Sequence, residues 1–166
     1  MRKAVTWGLF LAWLANDTEE WFTMAPWSQQ NAARTGKRQL GPVWLREPVT
    51  SAQSHVAISL MGAFVLAAAA RGAATGGRSR FFQSTLVGFG VHGFGHLALS
   101  AAHRGYTPGV ATAPTVVIPY SLWAWRELGR QGVRRNDART WLGAAVLLPA
   151  SLAAVHSTAR ALTRPS

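Results

Sequence analysis

The sequence predicts an all-α fold, a multi-span integral membrane helix bundle with about five transmembrane helices. Three observations carry this expectation. Residues are 49% hydrophobic and only 14% charged. The charge is lopsided, a formal +11 from 17 Lys and Arg against 6 Asp and Glu. The basic residues fall between long uncharged stretches, as they do where loops hold the charge and spans exclude it. The same facts exclude other classes. With no Cys there is neither a disulfide scaffold nor a Cys-rich zinc module. Eight Trp and an apolar-rich chain argue against disorder. Nucleic-acid binders present Lys and Arg as a stripe along one element, which is not the pattern here, so no nucleic-acid partner is expected.

Each span follows from the rule that roughly 20 mostly apolar residues cross the hydrocarbon core. The first runs from about Ala4 to Trp27, the second from His55 to Ala70 and the third from Phe81 to Ala102. The fourth runs from Gly109 to Trp125 and the fifth from Trp141 to Leu162. Residues 1–166 read as one domain. The longest polar stretch, Ser28 to Ser54, holds Arg34, Lys37, Arg38 and Arg46 with Pro42 and Pro48, and reads as the loop after span one. Pro114, Pro119 and Pro149 predict kinks within spans. Trp27, Trp44, Tyr106, Trp123, Trp125 and Trp141 stand near span ends, as an interfacial aromatic belt does. Met1-Arg2-Lys3 before an apolar run also fits the start of a secretory signal. Trp13 would then occupy the small-residue position of its cleavage site, which favours a span.

Five spans put the termini on opposite sides. The N-terminal side collects Arg2, Lys3, Arg71, Arg78, Arg80, Arg126, Arg130, Arg134, Arg135 and Arg139, ten cations against seven on the other side. That excess predicts a multi-pass cell-membrane protein with a cytoplasmic N-terminus, its Arg126 to Arg139 segment meeting anionic headgroups. Spans one and three then run parallel. At about 1.5 Å per residue, Glu19 lies roughly 22 Å from the start of its span and His96 at nearly the same depth. His55, His103 and His156 fall toward the same side, so all five histidines gather near one leaflet with three of the six acids.

Asn16-Asp17-Thr18-Glu19-Glu20 stands inside span one, where a charge costs at least ~2.5 to 3.5 kcal/mol. Three adjacent acids therefore need a reason, unless the span ends at Ala15 and they sit in headgroup water. Asn16 and Glu20 share a helical face. Glu19 and Glu20 differ by about 100° in direction, so one helix can offer carboxylates to two partners. In span three, His92, His96 and His103 stand at i, i+4 and i+11 on one narrow stripe. Imidazoles one turn apart can grip one ion, although single core histidines are often only hydrogen-bonded. The glycines of Gly88-Phe89-Gly90-Val91-His92-Gly93-Phe94-Gly95-His96 permit a close neighbour, expected to be span one.

These residues resemble a known family. Asn16-Asp17-Thr18-Glu19-Glu20 with Trp21-Phe22 is similar to the signature of the HXXEE-motif membrane proteins, whose first span carries His-x-x-Glu-Glu followed by aromatic residues. His103-Arg104-Gly105-Tyr106-Thr107-Pro108-Gly109 resembles that family's Tyr-x-Pro-Gly turn after a His-bearing helix. The resemblance runs in order from about Leu9 to Leu128, and implies a small multi-span protein without an established activity. One position departs from the signature: its His is Asn16 here. Asn offers an amide oxygen but no imidazole. Either His92, His96, His103 or His55 supplies the missing nitrogen, or the site is weakened and the chain is a degenerate, non-catalytic member.

The leading functional expectation is a membrane-embedded, metal-dependent enzyme acting on a hydrophobic or lipid-like substrate. Its metal ligands are expected among Glu19, Glu20, His92, His96, His55 and Asn16. Glu19, Glu20 and His103 are the candidate catalytic groups, with His103 or His55 completing the shell or moving protons. Mixed carboxylate and imidazole ligands suit a divalent zinc, iron or manganese ion equally. Without a metal, the same groups can do acid and base work. Two other classes compete. Intramembrane acids and histidines are also the parts of a proton-coupled carrier, and a scaffold or accessory protein would use the acids only to pair with Arg.

Overall fold

The computed structural model describes residues 3–35 and 48–163. Among the described residues all regular structure is helical and there is no strand, so the all-α class holds. The elements are α1 (Lys3–Thr35), α2 (Ser51–Ala74), α3 (Arg80–His103), a π-helical turn (Ala113–Val117) that leads into α4 (Ile118–Arg130), and α5 (Ala138–Leu162). Two of them, α2 and α5, are long and apolar enough to cross a membrane.

The helix boundaries have local causes. At the start of α2, the Thr50 hydroxyl accepts the Gln53 N–H while the Gln53 side chain accepts the Thr50 N–H, a reciprocal cap. Ser79 caps α3 and Asp137 caps α5, the latter accepting the Thr140 N–H at 2.9 Å. Arg104 ends α3 in the left-handed region, φ 52°. Two boundaries differ from the sequence expectation. α1 does not stop at Trp27 but continues past Pro26 to Thr35, so part of the expected loop is helix. The expected fourth span does not begin as helix at Gly109. Residues 104–111 form a turn, and the 13-residue α4 follows the π-helical segment Ala113–Val117, which has Pro114 in its first turn. Arg2, Lys37, Arg38, Pro42, Trp44, Arg46 and Arg164 lie outside the described residues.

The glycines of α3 do not draw it against α1 as expected; the two helices barely meet. Gly88 instead faces Ala144 and Leu148 of α5, Gly90 faces Ser121 of α4, and Gly93 faces Val117 and Ile118. α1 packs chiefly on α2, where Gly62 leaves room for the Trp13 indole. Val5, Leu9, Trp13, Phe82, Leu86, Phe89 and Leu128 form the apolar core. Above it the interior turns polar: Asn16, Asp17, Glu20 and His96 are buried. Large apolar side chains face outward on several helices, among them Leu11, Phe22, Phe94, Leu142 and Val146.

Candidate metal centre

The four-residue step between His92 and His96 puts both rings on one side of α3, and their Nε2 atoms lie 2.9 Å apart. From α1, Glu20 reaches between them. Its Oε1 is 3.1 Å from His96 Nε2 and 4.0 Å from His92 Nε2. These three are the His and carboxylate groups, among the described residues, that converge closely enough to share an ion. Ligands at about 2.0 to 2.2 Å from a tetrahedral ion sit roughly 3.3 to 3.6 Å apart, a range the observed 2.9, 3.1 and 4.0 Å bracket, so small side-chain shifts would let the three share one ion. The hydrogen-bond chemistry points the same way. His92 Nε2 and Glu20 Oε1 both aim at His96 Nε2, which carries at most one proton and cannot donate well to both.

Glu20 and His96 are buried, whereas His92 is half-buried. The centre opens on a cavity of about 340 Å³ lined by α1, α2, α3 and α5 and partly open to the outside. Its walls are mostly apolar, with Trp13, Met61, Phe64, Phe89 and Leu148 among them. Asp17 and His156 bring further ionisable groups to the same space.

The expected site residues divide into two groups. Glu20, His92 and His96 come together, with Asn16 beside them: its Nδ2 donates to Glu20 Oε1 at 3.3 Å. Glu19, His55 and His103 are engaged elsewhere. The Glu19 carboxylate accepts from Tyr106 Oη at 2.7 Å, Thr112 Oγ1 at 2.6 Å, and the backbone N–H groups of Ala111 and Thr112 at 3.2 and 2.9 Å. The 100° step between neighbouring helix positions has sent one carboxylate to the histidines and the other to the turn. His55 stacks on Trp21 with ring centroids 3.8 Å apart, and its Nε2–H donates to the Trp21 carbonyl. His103 packs edge-on to Trp27 and donates from Nδ1 to the Leu99 carbonyl.

The turn that holds Glu19 also touches the centre. Gly109 has φ +81°, and a Cβ there would overlap the His96 ring, so only glycine lets the backbone lie against the imidazole. The turn is fixed further by Trp27, whose indole N–H donates to the Tyr106 carbonyl at 3.0 Å. Thr112 has no place in the sequence expectation, and Asp17 and His156, though gathered with the other acids and histidines, are not among its expected ligands or catalytic groups. Tyr106 and Gly109 carried a signal, as the ends of the Tyr-x-Pro-Gly run, but not their contacts.

Fold and site together define an α-helical protein in which an acidic first helix meets a paired-histidine helix above one apolar cavity. Over residues 7–124 the chain matches the family described as protein of unknown function with HXXEE motif, and it belongs to that family. No curated protein and no solved structure matches the chain.

Proposed function

We propose that this protein is a membrane-embedded enzyme that holds a divalent metal ion on Glu20, His92 and His96 and acts on a lipid-like substrate. The observation that carries the proposal is the convergence of these three ligands at the polar end of an otherwise apolar cavity. Three protein ligands leave coordination positions open, as catalytic sites do and closed structural sites do not. Two imidazoles and one carboxylate suit zinc, iron or manganese. Zinc would supply an activated water for hydrolysis, and iron oxygen-dependent oxidation. The apolar walls suit a hydrocarbon chain. Ser54 Oγ, buried on the cavity wall without a hydrogen-bond partner among the described residues, offers a polar contact to a bound molecule. Asp17 and His156 are placed to take or give protons there.

The membrane setting is supported by the distribution of polarity. Asn16, Asp17, Glu20 and His96 lie inside, while Leu11, Phe22, Phe94, Leu142 and Val146 lie outside, the arrangement expected where the surroundings are hydrocarbon. In this reading α1, α2, α3, α5 and the π-helical turn with α4 are the five spans of a cell-membrane protein. The N-terminus is cytoplasmic, on the side of the arginine-rich turns.

The test is elemental mass spectrometry of the protein purified in detergent after growth with zinc, iron and manganese supplied. Near-stoichiometric metal, lost in both Glu20→Ala and His96→Ala, is the expected result. Absence of metal from the wild type, or full retention in both variants, would overturn the proposal.

A further inference from the structure

We infer that Asn16, Thr112 and Glu19 form a hydrogen-bond bridge that positions Glu20 and His96, and that position 16 serves as part of this bridge and not as a metal ligand. The inference rests on the metal centre proposed above. Asn16 has no solvent exposure, and both ends of its amide are used. Nδ2 donates to Glu20 Oε1, the oxygen that faces His96, at 3.3 Å. Oδ1 lies 3.0 Å from Thr112 Oγ1, a hydroxyl that is also 2.6 Å from Glu19 Oε2 and 3.4 Å from the Gly109 carbonyl.

Glu19 completes the bridge. Its carboxylate takes two backbone N–H groups and two hydroxyls from residues 106–112, which fills its acceptor positions and fastens that turn to α1. The same turn presses Gly109 against the His96 ring. Asn16 therefore orients one ligand directly, and Glu19 orients another through the turn. Both are positioning residues.

This arrangement accounts for the Asn that stands where the family signature has His. A neutral imidazole has one N–H donor and one bare nitrogen acceptor. Those are the two roles the Asn16 amide fills, toward Glu20 and Thr112. The substitution keeps the polarity of the bridge and removes no ligand, so the centre remains complete on Glu20, His92 and His96. Groups that orient metal ligands are typically worth about 10 to 100-fold in metal affinity.

The experiment is a cobalt(II) titration of the full chain in detergent, read by competition with a chromophoric chelator for affinity and by the ligand-field absorption for the ligand set. Asn16→His should bind within about threefold of wild type with an unchanged spectrum. Glu19→Gln and Thr112→Val should bind about 10 to 100-fold more weakly, and Thr112→Ser, which keeps the hydroxyl, should recover the affinity. Circular dichroism on each variant separates weak binding from lost fold, and Asn16→His and Thr112→Ser are mild enough to be informative on their own. A large gain in affinity with an altered spectrum in Asn16→His would make position 16 a ligand site and overturn the inference. Unmoved affinity in Glu19→Gln and Thr112→Val would overturn it as well, leaving the metal centre intact. A wild type that binds no metal overturns centre and bridge together.

Discussion

Four donors converge on Glu19, whereas the adjacent Glu20 faces two imidazoles and one amide. The sequence shows that neighbouring carboxylates must diverge, because the helix rotates by about 100° per residue. It also shows that His92 and His96 share a face. It does not show which carboxylate meets them, because the turn that claims Glu19 lies 87 to 93 residues further along the chain. Depth groups His55 with the site, and the shared stripe with His92 and His96 groups His103 with it; ring contacts with Trp21 and Trp27 remove both. Gly109 gives the residue-scale prediction. An alanine there meets both a left-handed backbone, which costs roughly 1 to 2 kcal/mol, and the His96 ring. Gly109→Ala should lower the thermal midpoint and weaken cobalt(II) binding in one variant, while Gly132→Ala, also at positive φ but in open space, should only lower the midpoint.

The helices were legible in the sequence because their caps and apolar runs are local: α2, α3 and α5 begin within a few residues of the expected limits. The extension of α1 was not, since hydropathy does not register helix that continues through polar residues, and the turn legible from His103 to Gly109 runs further than expected, to the π-helical segment at Ala113. The element that joins the two arginine-rich turns was also missed. Gln83 is buried, donating from Nε2 to the carbonyls of Gly77 and Val133 at 2.8 Å each and accepting the Arg135 N–H at 2.6 Å. Gln83→Leu leaves those backbone groups unpaired and should cost about 2 to 4 kcal/mol, measured by thermal or denaturant unfolding in detergent. Asp137 stabilises the same region in a pH-dependent way. The Thr140 N–H at the helix start, aided by Arg80, holds its carboxyl below the usual carboxylate range. A lowered folded-state value means that the stabilisation is present above the ordinary Asp range and fades as pH falls through and below it. Asp137→Asn should therefore be less stable than wild type near pH 7, with the gap closing below about pH 4.

At the scale of the molecule, the turns at 75–79 and 131–137 sit together, held by Gln83, by the Arg80–Asp137 ion pair at 3.2 Å and by Arg135 donating to the Arg78 carbonyl. They gather exposed Arg78, Arg134, Arg135 and Arg139 at one end of the bundle, beside Trp125 and Trp141, whose rings pair edge-to-face at 6.0 Å. In the membrane setting proposed above, such an end would favour anionic headgroups by about 1 kcal/mol per cation near the surface. Phosphatidylglycerol should raise the thermal midpoint in mixed micelles more than phosphatidylcholine does. Most of that difference should vanish in an Arg134→Ala, Arg139→Ala double variant.

The distance along the chain between Glu19 and its partners also sets an order of events during synthesis. α1 is made first, with Asp17, Glu19 and Glu20 already in it. The histidines follow some 70 residues later and the turn about 90 residues later. In a bilayer, the nascent first helix would carry unmatched acids for that whole interval, a state that lipid alone does not favour. With α1 as a span, as proposed above, it would wait in a polar environment until α3 and the turn emerge. On that reading, a protease or modification site placed between α1 and α2 should stay on the N-terminal side in chains truncated before His92, and should cross in chains that extend past Thr112.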